Sequence, residues 1–204
     1  METYKNIIFD SREEVWFAMW LEELKQAEFI QEWYKINTPM QILDPVKFLY
    51  TRTTQLKTKE KKEVKNFTLL NDLTYTPDFM IKWTDNGWNK FVSLIEGNIN
   101  PKSWFFGSYE YEFRRVTYAE IKPTFDQHGK TARFSVIQKV IWSIKNIFVD
   151  LIIPEDLFEG TFMPQEAIPD FKYKKNPRTG QWKTKYIPKS LNEFLNVTTL
   201  RIQK

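Results

Sequence analysis

Apolar residues recur along this 204-residue chain with two different periods, and the switches between them mark out its elements. Phe17, Trp20, Leu21 and Leu24 fall three and four positions apart, the spacing of one helix face, and Val15, Trp16 and Met19 widen the stripe. A helix is predicted from about Ser11 to about Gln31. Asp10 is its expected N-cap and Glu13 the capping-box partner, and Glu13 and Glu14 also suit the positive end of the helix dipole. From Ile36 onward the pattern turns extended. Gln41–Leu43 and Lys47–Tyr50 read as strands around an Asp44-Pro45 turn, and Phe67–Leu70 and Phe79–Trp83 as strands on either side of Pro77-Asp78. Asp85-Asn86-Gly87 is a turn signal. Val116–Lys122 reads as a strand, Phe125–Lys130 as a loop, and Thr131–Asn146 as a second amphipathic helix with Phe134, Ile137, Ile141 and Ile144 on one face. Ile147–Ile153 is an almost unbroken apolar run closed by Pro154, as expected of a strand covered on both faces. Strand, helix and strand from 116 to 153 imply a right-handed parallel crossover. The expected architecture is therefore α/β, a mixed sheet flanked by helices.

Two stretches depart from these periods. The charge run KTKEKKEVK, Lys57 to Lys65, reads as a solvated loop or hairpin tip, with a DNA-contacting loop as the other reading. Trp88 to Arg115 is dense in aromatic residues and broken by Gly97, Pro101 and Gly107. It is expected to form a satellite core, with a base-stacking surface as the alternative.

Composition narrows the classes. The chain is 42% hydrophobic and 17% aromatic, ample for a core, and no apolar run approaches a membrane span. Met1 to Phe9 lacks the features of a signal peptide. With no cysteine, disulfides and thiolate metal sites are excluded, and a single histidine, His128, argues against a His-rich zinc site and a Ser-His-Asp triad alike. The net charge of +4 is unevenly placed: residues 160–204 hold nine Lys/Arg and three Asp/Glu, leaving the first 159 residues slightly acidic. A division into a core, 1–159, and a basic C-terminal extension, 160–204, is expected. The extension has prolines at 164, 169, 177 and 188, and a Ser190–Glu193 capping box for a short helix. Lys174, Lys175, Arg178, Lys183 and Lys185 alternate with aromatics there. That pattern suits phosphate contact with base stacking, or else a basic arm packed on the core through Trp182 and Tyr186.

The candidate chemistry lies in Tyr75-Thr76-Pro77-Asp78-Phe79 and Tyr118-Ala119-Glu120-Ile121-Lys122-Pro123. Asp78 opens one strand and the Glu-x-Lys triplet closes another. Alternation puts Glu120 and Lys122 on one face and Ile121 on the other. Two carboxylates and an ammonium meeting at strand ends make a site for Mg²⁺ and an attacking water.

This pattern resembles the PD-(D/E)XK nuclease superfamily. Phe9-Asp10-Ser11-Arg12-Glu13-Glu14 is similar to the Phe-Asp-Ser-Lys-x-Glu opening of small phage Holliday-junction-resolvase-like endonucleases, in which Glu14 matches a helix-borne glutamate. The same order of motifs is similar to the end-cleaving nuclease subunit of Tn7-type transposons and to some phage head-completion proteins. The resemblance spans about residues 9–153 and implies a restriction-endonuclease-like mixed central sheet flanked by helices, with 88–115 as an insertion. It implies a Mg²⁺-dependent DNA endonuclease, with Mn²⁺ able to substitute. Asp78, Glu120, the Ile121 carbonyl and Glu14 would serve as metal ligands and Lys122 would hold the water or the scissile phosphate. Branched DNA is the implied substrate, a homodimer the implied assembly, and the cytoplasm (a phage host's) or a virion the implied location. Where compact phage relatives carry a lysine on the second helix this chain has Ile137, leaving Gln138 or Lys139 as substitutes. His128, in the loop after the motif, reads as a surface histidine, with a general base as the other reading. A virion assembly protein that keeps the fold, or a non-catalytic DNA-binding module, are the competing expectations.

Overall fold

The computed structural model describes residues 1–93, 104–106, 115–124, 130–171, 178 and 188–202. The chain opens with a hairpin, β1 (Glu2–Tyr4) and β2 (Ile7–Phe9), which turns through Lys5 and Asn6 at positive φ. Helix α1 (Arg12–Gln26) follows. Its N-cap is Ser11 rather than Asp10: the Ser11 hydroxyl accepts a hydrogen bond from the Glu14 N–H at 3.2 Å. The capping box is therefore Ser11 with Glu14, one residue on from the expected pair. The helix also ends earlier than its periodicity suggests. Glu28, at φ 61, turns the chain out of it, and Ile30–Lys35 becomes strand β3.

Next come β4 (Met40–Leu43), the long β5 (Val46–Gln55) and β6 (Glu60–Leu70), then β7 (Leu73–Tyr75) and β8 (Phe79–Trp83). The Lys57–Lys65 run is the end of the β5–β6 hairpin, with residues 56–59 as its turn. The Asp85-Asn86-Gly87 signal belongs to a helix, α2 (Asp85–Phe91), capped by Thr84. Gly87 serves close packing there, because a Cβ would run into the Phe29 carbonyl. Two short strands, β9 (Val92–Ser93) and β10 (Phe105–Phe106), pair in parallel. Strand β11 (Val116–Ile121), helix α3 (Lys130–Lys145) and strand β12 (Val149–Ile152) supply the expected parallel strand–helix–strand unit. Helices α4 (Pro154–Gly160), α5 (Ile168–Phe171) and α6 (Leu191–Ile202) complete the described chain. Among the described residues no helix is long and apolar enough to cross a membrane.

The central sheet has the order β12-β11-β8-β3, with β11 parallel to β12 and antiparallel to β8. Alternation decides its two faces. Phe79, Ile81 and Trp83 of β8 join Ala119 and Ile121 of β11 in one cluster with Phe17, Trp20, Leu21 and Leu24 of α1. On the other face Tyr118 and Leu151 meet Phe134, Ile137 and Ile141 of α3, with Ile42, Leu73 and Tyr75 alongside. Ile144, expected on the same helix face, is largely exposed. The fold is thus mixed α/β, with a four-stranded sheet covered by α1 on one side and α3 on the other.

Two expectations about organisation change. Trp88, Phe91 and Phe105 are buried in the main cluster rather than in a satellite core, Phe91 lying edge-on to Trp20 with ring centroids 5.6 Å apart. The core also continues past residue 159. Phe162, Met163, Ala167 and Phe171 belong to it, and Leu191 closes it. Trp16 Nε1 donates to Asp170 at 2.8 Å, Arg12 donates to the same carboxylate at 2.5 Å, and Trp20 Nε1 donates to Thr161 at 3.3 Å, so 161–171 is fastened along α1. Lys174, Lys175, Lys183, Lys185, Trp182, Tyr186 and His128 lie outside the described residues, as does most of 88–115; Arg178 is exposed.

Candidate active site

Strand pairing brings the two motifs together. In the antiparallel register Phe79 pairs with Ala119, and Asp78 stands one step further out beside Glu120. The Asp78 carboxylate accepts the Ile121 N–H at 2.7 Å, so it closes the end of the β8–β11 ladder. Glu120 projects from the face that meets α3. One of its oxygens takes the Tyr75 hydroxyl at 2.6 Å and the other takes the Lys122 ammonium. Lys122 is fixed in turn by its backbone N–H, which donates to the Ile152 carbonyl at 2.9 Å. The Ile121 side chain is buried on the opposite face, as alternation requires.

Glu14 arrives from the first turn of α1 and is buried. Its carboxylate accepts the Lys35 ammonium at 2.5 Å and the Asp10 N–H at 3.4 Å. Lys35 ends β3, paired with Phe79, and also reaches Asp10 at 3.3 Å. Burial alone would lower the Lys35 pKa; the hydrogen bonds and charges of Glu14 and Asp10 outweigh it and hold the ammonium above its ordinary value.

Asp78 has the opposite problem. Burial, then the charge of Glu120 and that of Glu14, raise its pKa to about 7, against the Ile121 N–H and the Lys122 charge, which pull it down. A carboxyl forced toward its neutral form by burial and, after it, by neighbouring carboxylates marks a place that would welcome a cation. Burial, then the charges of Glu120 and Asp78, also push the Tyr75 phenol up, so its hydroxyl stays a donor to Glu120. The site opens into a cleft of about 200 Å³ lined by Tyr75, Glu120, Lys122, Arg133, Phe134 and Ile137.

The structure therefore brings Glu14, Asp78, Glu120 and Lys122 to one end of the sheet. Among the described residues no three acidic or imidazole groups form a ready-made metal cage. Asp78 and Glu120 stand as a pair, while Glu14 is engaged by Lys35 and the helix cap. Mg²⁺ is commonly held by one or two carboxylates plus waters and substrate oxygens, so the pair and its surplus charge fit that ion. Gln138 does not face the site; its side chain donates to the Val149 carbonyl at 2.6 Å. Lys139 is exposed. Three neighbours carry no signal that the sequence pattern alone makes functional. Tyr75 stands inside the motif without a role, Arg133 precedes the aromatic that opens the α3 core face, and nothing local marks Lys35, which only strand pairing delivers. No protein-family model, curated protein or solved structure matches the chain.

Proposed function

We propose that the chain is a metal-dependent endodeoxyribonuclease that hydrolyses phosphodiester bonds, with a restriction-endonuclease-like core. One observation carries the reading: the Asp78 and Glu120 carboxylates meet at the end of adjacent strands beside Lys122, where burial and then the charges of Glu120 and Glu14 raise Asp78 to a pKa of about 7. Asp78 and Glu120 would hold Mg²⁺ or Mn²⁺, with the Ile121 carbonyl as a neighbouring oxygen and Glu14 adding negative potential from the helix. The ion would supply charge neutralisation at the phosphate and a more acidic water. Tyr75 orients Glu120 by its hydrogen bond. Lys122, already on the Glu120 carboxylate, is the cation best placed to meet an incoming phosphate oxygen. Arg133 at the cleft rim is a second anion contact.

Branched DNA is the substrate we favour, on the motif resemblance, and a dimer follows if two strands of a junction are cut together. The test is a Mg²⁺ or Mn²⁺ cleavage assay on duplex, nicked, flap and four-way-junction DNA. Asp78→Asn, Glu120→Gln and Lys122→Ala are expected to abolish cleavage with the circular dichroism spectrum unchanged. Metal binding should weaken in the first two and hold in the third. Wild-type rates in Glu120→Gln would end this assignment.

A further inference from the structure

We propose that the β5–β6 hairpin is a DNA-binding arm that lies along a double helix next to the cleavage site, an inference that rests on the nuclease reading above. All ten residues of β5 are exposed, and only Glu63 and Lys65 of β6 are partly covered. At about 3.3 Å per residue the arm is roughly 33 Å long, close to one helical turn of duplex. A two-stranded ribbon is also one of the shapes that the major groove admits.

The register divides the arm into two halves. From Arg52 to Lys65 it carries Arg52, Lys57, Lys59, Lys61, Lys62 and Lys65 against Glu60 and Glu63. Glu63 is shared by Lys61 and Lys65, which leaves the other four cations in surplus over Glu60. Paired residues point the same way, so Arg52, Lys61 and Lys65 lie on one face, Lys62 on the other, and Lys57 and Lys59 at the turn. The half nearer the core bears Phe48 opposite Phe67 and Val46 opposite Leu70 on a single face, with Tyr50 beyond them; Phe48, Phe67 and Leu70 are each more than half exposed. Cations outside and exposed aromatics inside suit phosphate contact combined with stacking or wedging at distorted base steps.

Charge selects the occupant. A second copy's arm would bring like charges together over the outer half, which costs affinity, whereas a polyanion meets them. Position agrees: the arm is rooted between β4 and β7, which pair with each other, and β7 ends at Tyr75, whose hydroxyl binds Glu120. The arm is thus an outgrowth of the strand that leads into the site.

The experiment measures binding of full-length protein to a 30-base-pair duplex and to a four-way junction, in EDTA so that cleavage plays no part, over a salt series. A variant with Lys57, Lys59, Lys61 and Lys62 all changed to Gln should bind at least tenfold more weakly at low salt. The slope of log K against log salt should fall by roughly 0.9 for each phosphate that the variant no longer neutralises. A second variant, Phe48→Ser with Phe67→Ser, should weaken binding severalfold with the slope kept. Equal affinity and slope in wild type and the lysine variant would overturn the arm while leaving the nuclease reading intact. Arm-dependent binding without metal-dependent cleavage would uphold the arm and sink the nuclease. A dimer that Phe48→Ser/Phe67→Ser converts to monomer in sedimentation, with DNA binding unaltered, would make the face an interface between copies and overturn the proposal.

Discussion

Strands β8 and β5 are built from similar residues and meet opposite fates. Phe79-Met80-Ile81-Lys82-Trp83 alternates buried and half-buried, with Phe79, Ile81 and Trp83 sealed beneath α1. Val46-Lys47-Phe48-Leu49-Tyr50 is just as apolar and is exposed throughout. What separates them is partners: β8 has a strand on each side and a helix above, while β5 has only β6. Burial contributes about 25 cal/mol per Å² only where a second layer arrives. The central sheet therefore holds the fold and the site, and the arm holds neither, which frees it to meet another molecule.

This contrast sets the order of expected effects. Removing Trp20, stacked between Phe17 and Phe162 and fully buried, should cost about 3–5 kcal/mol in urea unfolding as Trp20→Ala. A loss under about 1 kcal/mol would mean that the α1 face is not the main core. Lys35→Met should come next. It strands buried Glu14 without its cation and should cost about 3 kcal/mol, with rescue by Lys35→Arg.

Asp78 sharpens the comparison through pH. Its folded pKa of about 7 exceeds the ordinary 3.8, so the native state binds the extra proton. In metal-free buffer, stability should therefore fall as pH rises from about 4 to about 7 and level off above. The full shift corresponds to about 4 kcal/mol; with one side of the cleft open to water, about 2 kcal/mol is expected. Asp78→Asn should flatten this dependence and melt above wild type once the pH exceeds about 7, as read by thermal scans across pH. An unchanged pH profile would show that burial and the neighbouring carboxylates do not hold Asp78 above its ordinary pKa. The smallest effect belongs to the arm: Phe48→Ser should leave stability within about 0.5 kcal/mol. A larger loss would show that the arm is packed in solution and would erase the contrast.

Much of the sheet was legible in the chain. Alternation in Phe79–Trp83 and Val116–Lys122, and the apolar run after the second helix, announced β8, β11 and β12 because a covered strand must place apolar residues at a period of two or continuously. Helix α1 was legible by its stripe, but its end was not. The stripe fades gradually, whereas Glu28 at positive φ and the pairing of β3 with β8 decide where the helix stops. Gly87 misled because a glycine needed for close approach looks the same as one needed for a turn.

By itself the sequence determined which residues could form strands and helices, and which are candidates for the proposed chemistry: Asp78, Glu120 and Lys122 stand in their motifs, set by a spacing of two along one strand and an aspartate opening the other. Only the tertiary structure decided what those residues meet. Pairing of β8 with β11 sets Asp78 beside Glu120, pairing of β3 with β8 delivers Lys35 to Glu14, and the end of β7 hands Tyr75 to Glu120. The same assembly placed Phe162 and Phe171 in the core and left Phe48 and Phe67 outside it. The physical reason is that hydrophobicity, pKa and charge balance act between neighbours, and neighbours distant in the chain exist only once strands have chosen their partners.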